Sequence, residues 1–251
     1  MALQSSGAIK LSEIQSEFGG SDPISLSEYY QNADPDLVTA NNTNVPDIGN
    51  AISMTDFYDA IKAVSVTYEI IGAGGGGAAG EIGNDTPTGS APDGGDGGSS
   101  SFSGTGFTTV TASGGAGGDG NAGRAFPDGA QAGQSSFYGS GGSGGLNSDS
   151  GNHTNGSSPA ATAYGAAGGG GGTSFEANSG GTQALAGTRV TGTVLIAPST
   201  SVTVTIGAGG AGTTATSDYT AGAAGAGGYA KFTVGNDVQE FTSSGTYTVP
   251  S

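Results

Sequence analysis

Apolar and polar residues alternate along Val64-Ser-Val66-Thr-Tyr68-Glu-Ile70-Ile71, the period of a half-buried strand. Arg189 to Ile196 and Val202-Thr-Val204-Thr-Ile206 carry the same signal on either side of Pro198. Near the end of the chain, Tyr229 to Val234, Val238 to Thr242 and Thr246 to Val249 read as a meander, with turns at Gly235-Asn236-Asp237 and Ser243-Ser244-Gly245. Phe102 to Thr111 is a weaker strand. Strands from both ends of this region are expected to pair in one β-module from which the intervening segments extend.

The first 63 residues follow a different pattern. Ile9-Lys-Leu11-Ser12-Glu13-Ile14, Ile24-Ser-Leu26-Ser27-Glu28-Tyr29-Tyr30 and Ile52-Ser-Met54-Thr55-Asp56-Phe57-Tyr58 share the form Ile-x-Leu/Met-Ser/Thr-acid-apolar. A hydroxyl followed by an acid suits a helix start, since the oxygen caps an orphan N–H and the carboxylate faces the positive end of the dipole. Ser12 also has Gln15 at capping-box spacing. The reading is three short helices, at 13–18, 26–31 and 54–62, the first stopped by Gly19-Gly20.

Composition separates the two regions. Residues 1–63 hold only 4 of the 53 glycines, so the boundary falls near Ala63, with a small helical region at 1–63 and a glycine-rich β domain at 64–251. Leu, Ile, Val and Phe together make up only 39 of 251 residues, too few for one conventional core to offset the backbone entropy of so many glycines. Glycine recurs at every third position: Gly74, Gly77, Gly80, Gly83; Gly114, Gly117, Gly120, Gly123; Gly139, Gly142, Gly145; Gly165, Gly168, Gly171; Gly222, Gly225, Gly228. Polyproline-II geometry has three residues per turn, and glycine in that register lets such helices pack side by side, bonded through their backbones. The fold class expected is mainly β with glycine-rich tracts able to form polyglycine-II helices, after a small region of short helices.

Charge and residue types narrow the function. Five Lys and Arg against 21 Asp and Glu give a net charge of −16, which leaves no basic face for nucleic-acid phosphates. No apolar run is long enough for membrane insertion, and no signal peptide is evident in MALQSSGAIK. There is no cysteine and a single histidine, His153, in a polar stretch, so thiolate, zinc and triad chemistry have no candidates. Gly72-Ala-Gly74-Gly-Gly-Gly77 follows a strand like a dinucleotide fingerprint, but no helix pattern comes after it. Gly114-Gly-Ala-Gly117-Gly-Asp119 matches half of a calcium β-roll repeat, without the apolar residue that should follow or tandem copies; a solvated turn accounts for it better. No metal, cofactor or enzymatic activity is expected.

These motifs carry a resemblance. The three N-terminal repeats look like a module near the start of tailed-bacteriophage virion proteins of tail-fibre type. The second region resembles glycine-rich domains of phage tail proteins and adhesins. Their usual pattern is Phe-Thr-x-x-Gly-Thr-Tyr-Thr-Val-Pro, an alternating strand, then a glycine tract. Here Phe241-Thr-Ser-Ser-Gly245-Thr-Tyr247-Thr-Val249-Pro250 comes last rather than first. Either the order is permuted and this tail pairs beside Val64–Ile71, the arrangement expected here, or a further copy of the module follows.

The resemblance implies a virion structural protein on the exterior of the tail or capsid, with a fibre or fibre-tip adhesin that contacts the host first. A capsid decoration protein or head fibre, a tail or baseplate connector and a fibre-borne depolymerase are the alternatives. Residues 1–63 would bind other virion proteins through exposed anchors: Ile9, Leu11, Ile14, Ile24, Leu26, Tyr29, Tyr30, Ile52, Met54, Phe57 and Tyr58. The glycine-rich domain would contact a surface glycan or outer-membrane protein through groups between the tracts: Phe126, Phe137, Tyr138, Asn152, His153, Tyr164 and Phe175. These aromatics could equally cap the ends of the glycine stack. A homotrimer is expected, as small cores favour oligomers and phage fibres are usually trimeric.

Overall fold

A computed structural model describes residues 2–31, 34, 37, 42–81, 91–120, 131–145, 154–171, 183–217 and 219–251. Two hydrophobic cores form, one within the first 63 residues and one within the glycine-rich region.

The N-terminal core is built on Ile14, Phe18, Tyr29, Leu37, Val45, Phe57 and Ala60. Its one α-helix among the described residues, α1 (Leu11–Phe18), begins earlier than expected. The cap is not Ser12: the Glu13 carboxylate turns back to accept the Lys10 amide at 2.7 Å, and Asp56 does the same for Ser53 at 2.7 Å. Gly19 ends α1 in a left-handed conformation, φ 84°. The other two expected helices are single 3-10 turns, Leu26–Glu28 and Met54–Phe57. Neither extends, because the next amides are engaged elsewhere. Gln31 N–H donates to Pro46 O, and Asp59 N–H donates to Gln4 O. The tyrosines of the repeats close loops: Tyr29 donates to Gly19 O at 2.6 Å, Tyr30 to Asn50 O at 3.1 Å, and Tyr58 to Gly7 O.

The second region starts from a β-sandwich. One antiparallel sheet has the order β5-β1-β8-β9 and comprises Arg189–Ile196, Val64–Ile71, Tyr229–Val234 and Asp237–Phe241. The other has the order β10-β6-β3-β4 and comprises Gly245–Thr248, Ser201–Thr205, Ser100–Ser103 and Val110–Ala112. A two-stranded ladder joins β2 (Gly80–Glu81) to β7 (Tyr219–Thr220). Inward residues of both sheets interlock: Val66, Ile70, Phe102, Val202, Val204, Phe232, Tyr247 and Val249 are all buried. Phe232 lies edge-on to Phe102 and flat on Tyr247, with centroids 5.3 and 4.7 Å apart.

The expected pairing of the chain ends holds for β1 with β8. The expected place of the tail does not. Gly245–Thr248 pairs with β6 in the opposite sheet, not with Val64–Ile71, and it does not continue the β8-β9 hairpin into a meander. Crossing between sheets is what seats Tyr247 and Val249 in the core.

Glycine-rich tracts run on from the strands and bond to one another. The segment 72–79 continues β1 and sits at the centre. Its donors repeat every three residues: Gly72 and Gly75 donate to Thr188 O and Leu185 O, Ala73 and Gly76 to Gly98 O and Gly95 O, and Gly74 and Gly77 to Ala226 O and Ala223 O. Each pair faces one antiparallel neighbour. Its carbonyls accept from three parallel tracts, through Gly115 and Gly118, Gly168 and Gly171, and Gly210. Six neighbours around one chain with threefold bonding is the arrangement that three residues per turn permits. It pairs buried backbone groups without needing large side chains.

The tract glycines are required by space. Among the described residues, the only glycine of 72–79, 91–99, 113–120, 165–171 and 221–228 with a left-handed φ is Gly165, at 74°. A Cβ on Gly114, Gly117 or Gly120 would fall within 2.2 Å of a carbonyl oxygen in 91–99. One on Gly222 or Gly225 would fall as close to an oxygen of the central tract. The every-third glycines face a neighbouring chain, and in the central tract Gly75 and Gly76 do so as well, each with a Cβ that would lie 2.0 Å from a backbone oxygen.

Candidate functional site

Successive tracts alternate in direction. Those leaving β1 and β4 run away from the sandwich, and those entering β3 and β5 return to it. The antiparallel bonds of Ala73 and Gly76 to Gly98 and Gly95 register the first such pair. Phe126, Asn152, His153 and Phe175 lie outside the described residues.

The other three candidates meet at the sandwich end. Segments 131–135 and 140–145 are joined by a tight turn in which Ser136 N–H donates to Gly139 O at 2.9 Å. The turn projects Phe137 outward, 69% exposed, and directs Tyr138 inward. Tyr138 packs against Tyr164 and Tyr229 with centroids 5.6 and 5.2 Å away, and Tyr164 stacks on Tyr229 at 4.7 Å and 13°. Tyr138 and Tyr164 thus cap the point where the tracts enter the first sheet. Phe137 is left as the exposed ring.

The outer face of that sheet continues from this cluster. Register puts Thr191, Glu69, Lys231 and Glu240 in one row, and Thr193, Thr67, Thr233 and Val238 in the next. Glu69 is the hub. Its Oε2 accepts the Tyr138 hydroxyl at 3.0 Å and its Oε1 pairs with Arg189 Nε at 2.5 Å. The Arg189 guanidinium lies 4.0 Å over the Phe137 ring, a cation–π contact. Burial, reinforced by the bond to Glu69, raises the Tyr138 pKa. Burial raises that of Tyr229 too, with Glu240 adding to it. Both hydroxyls stay protonated donors across the physiological range. Beside the cluster opens a groove of about 340 Å³.

Glu69, Arg189 and Lys231 were not legible as site residues. The available signal was that Arg189 and Lys231 are two of only five cations in the chain. Among the described residues, no group of three His, Cys, Asp or Glu is placed to hold a metal. No helix among them is long and apolar enough to cross a membrane.

The expected anchors of residues 1–63 are placed differently from the expectation. Ile14, Tyr29 and Phe57 are fully buried in the N-terminal core, and Ile9, Leu11, Ile24, Leu26, Ile52 and Met54 pack against it. They form a folded unit rather than a row of exposed anchors, because the apolar positions of the three motifs pack against one another. Tyr30 and Tyr58 are half-buried and bonded to backbone carbonyls. No protein family, curated protein or solved structure matches this chain.

Proposed function

We propose that this protein is a structural component of a tailed-phage virion, a fibre or fibre-tip adhesin that contacts the host surface. The observation that supports this most is the lattice of tracts bonded through their backbones. Main-chain bonds hold it together whatever side chains it carries outward, so residues that contact a partner can vary without touching the bonds between tracts. The sandwich and the folded unit of residues 1–63 suit a stalk and an attachment point to other virion proteins, in a homotrimer. The reading also rests on the likeness of the N-terminal repeats and glycine tracts to those of phage tail proteins.

The test is binding of the fluorescently labelled full chain, with its oligomeric state fixed by light scattering, to a panel of candidate host cells in competition with infection. Saturable binding that blocks infection is expected. A folded chain that binds no cell and blocks no infection would overturn the adhesin reading in favour of a decoration or connector protein.

A further inference from the structure

We propose that the groove on the outer face of the first sheet is a subsite for a carboxylate-bearing sugar residue. The proposal places a ligand class on the sandwich side of the tracts.

The charge balance points to an anion. The chain carries 21 acids and five cations, yet this one groove is lined by two of those cations, Arg189 and Lys231, against a single acid, Glu69. Among the described residues, neither cation has all its donors filled. Arg189 reaches Glu69 through Nε, which leaves its two terminal nitrogens without a protein acceptor among the described residues. Lys231 lies between Glu69 and Glu240 in register, but Glu69 is taken by Arg189 and Tyr138. Among the described residues no carboxylate lies within ion-pair distance of the Lys231 ammonium. A ligand carboxylate completes both donor sets, and charge-assisted bonds of this kind are the strong ones.

The rest of the lining points to a sugar. Thr67 and Thr233 face each other across neighbouring strands, and Thr191 stands one row away. Directly opposed residues lie ~5 Å apart, within the span of one pyranose ring, and each hydroxyl can both donate and accept. Phe137, held over Arg189 and largely exposed, presents a flat apolar ring beside the groove, suited to the C–H face of a sugar. A bare inorganic anion would use the cations and leave the threonines and the ring unused.

The test is calorimetric titration of the full chain with trigalacturonate at low ionic strength, with neutral galactotriose and inorganic phosphate as parallel arms. Saturable binding of trigalacturonate is expected, weakened about tenfold or more in Lys231→Met, which keeps the aliphatic stem. Phe137→Ala should weaken it as well. Both variants must keep the wild-type circular dichroism spectrum and unfolding midpoint; if Lys231→Met does not, Thr191→Val serves in its place. The proposal is overturned by no binding of trigalacturonate, by equal binding of galactotriose, or by phosphate binding as tightly as the uronate. This inference does not stand or fall with the adhesin reading. Uronate binding without attachment to any cell would refute the adhesin reading alone, and attachment unchanged by Lys231→Met with no uronate binding would refute the subsite alone.

Discussion

Replacing Gly76 by alanine tests the close packing of the central tract. A Cβ on Gly76 would lie 2.0 Å from Ala211 O and 2.5 Å from Ala211 C. That is about 1.4 Å short of ordinary contact, and the atoms in the way are backbone rather than a side chain that could turn aside. The Ala211 carbonyl is itself the acceptor of Gly95 N–H at 2.8 Å. Gly76 also donates to Gly95 O at 2.8 Å and accepts from Gly118 N at 2.9 Å. Retreat of the 207–212 tract by that distance breaks the Gly95 bond and also the bond from Gly210 N–H to Gly74 O at 2.8 Å. Each buried backbone group left unpaired costs ~1–3 kcal/mol. The expected loss is on the order of 4 kcal/mol, a fall in Tm of about 10 °C at this chain length. Gly227→Ala is the control. Its only near atom is Gly207 O at 3.8 Å and its φ is not left-handed, so a gain of ~0.4–1 kcal/mol from the less flexible unfolded chain is expected. Thermal unfolding followed by circular dichroism reads both. If Gly76→Ala melts within a degree or two of the wild type, or no lower than Gly227→Ala, the argument from close approach is wrong.

Three further outcomes follow from the sandwich and its tyrosines. Tyr247→Phe should raise the urea midpoint by an amount worth ~1 kcal/mol, because the Tyr247 hydroxyl is buried without a partner while its ring stacks on Phe232; a lowered midpoint would show that the hydroxyl is satisfied. Deleting residues 240–251 removes β10 and the buried Tyr247 and Val249, and should cost more than ~5 kcal/mol; an unchanged melting temperature would contradict the place of β10 beside β6. Burial, above all, raises the pKa values of Tyr29, Tyr138, Tyr229 and Tyr247 above the ordinary tyrosine value of about 10. Between pH ~10 and the folded value the unfolded chain has lost protons that the folded chain keeps, so stability is flat below pH ~10 and falls above it. Tyrosinate absorbance should therefore show a late group of residues ionising together with unfolding, and ionisation of all nine tyrosines near pH 10 in the folded protein would refute it.

Local alternation was the most legible feature. In β1, Val66, Tyr68 and Ile70 alternate with Thr67 and Glu69, and the strand folds with that facing. Its partners were less legible, since period-2 alternation says which face is buried and not which strand lies alongside. That is why the tail's crossing to β6 was missed. The two over-long helices fail for a related reason: capping marks a helix start, but the stops at Gln31 and Asp59 come from tertiary bonds to Pro46 and Gln4. The every-third glycines showed which faces are close-packed, and the choice of neighbour depends on where each connection returns the chain. Asp93 and Asp96 carry a signal visible only in the fold. Three residues apart, they accept the amides of Gly120 and Gly117 at 2.7 and 2.8 Å, binding two tracts along one edge. In the candidate site, aromatic spacing found Phe137, Tyr138 and Tyr164. It did not find Glu69 or Arg189, which meet them from 69 and 120 positions apart in the pairings Tyr138–Glu69 and Arg189–Glu69.

The central claim is that the glycine tracts are a hydrogen-bonded scaffold and not a flexible linker. Residue-resolved hydrogen exchange of the full chain tests it directly. The amides of Gly74, Gly75, Gly76 and Gly77, each bonded to a different neighbour or turn of the lattice, should exchange on the order of a thousandfold or more slowly than an unstructured chain, alongside Ile70 of β1. Exchange of these four amides at the unstructured rate, while Ile70 stays protected, would contradict the account.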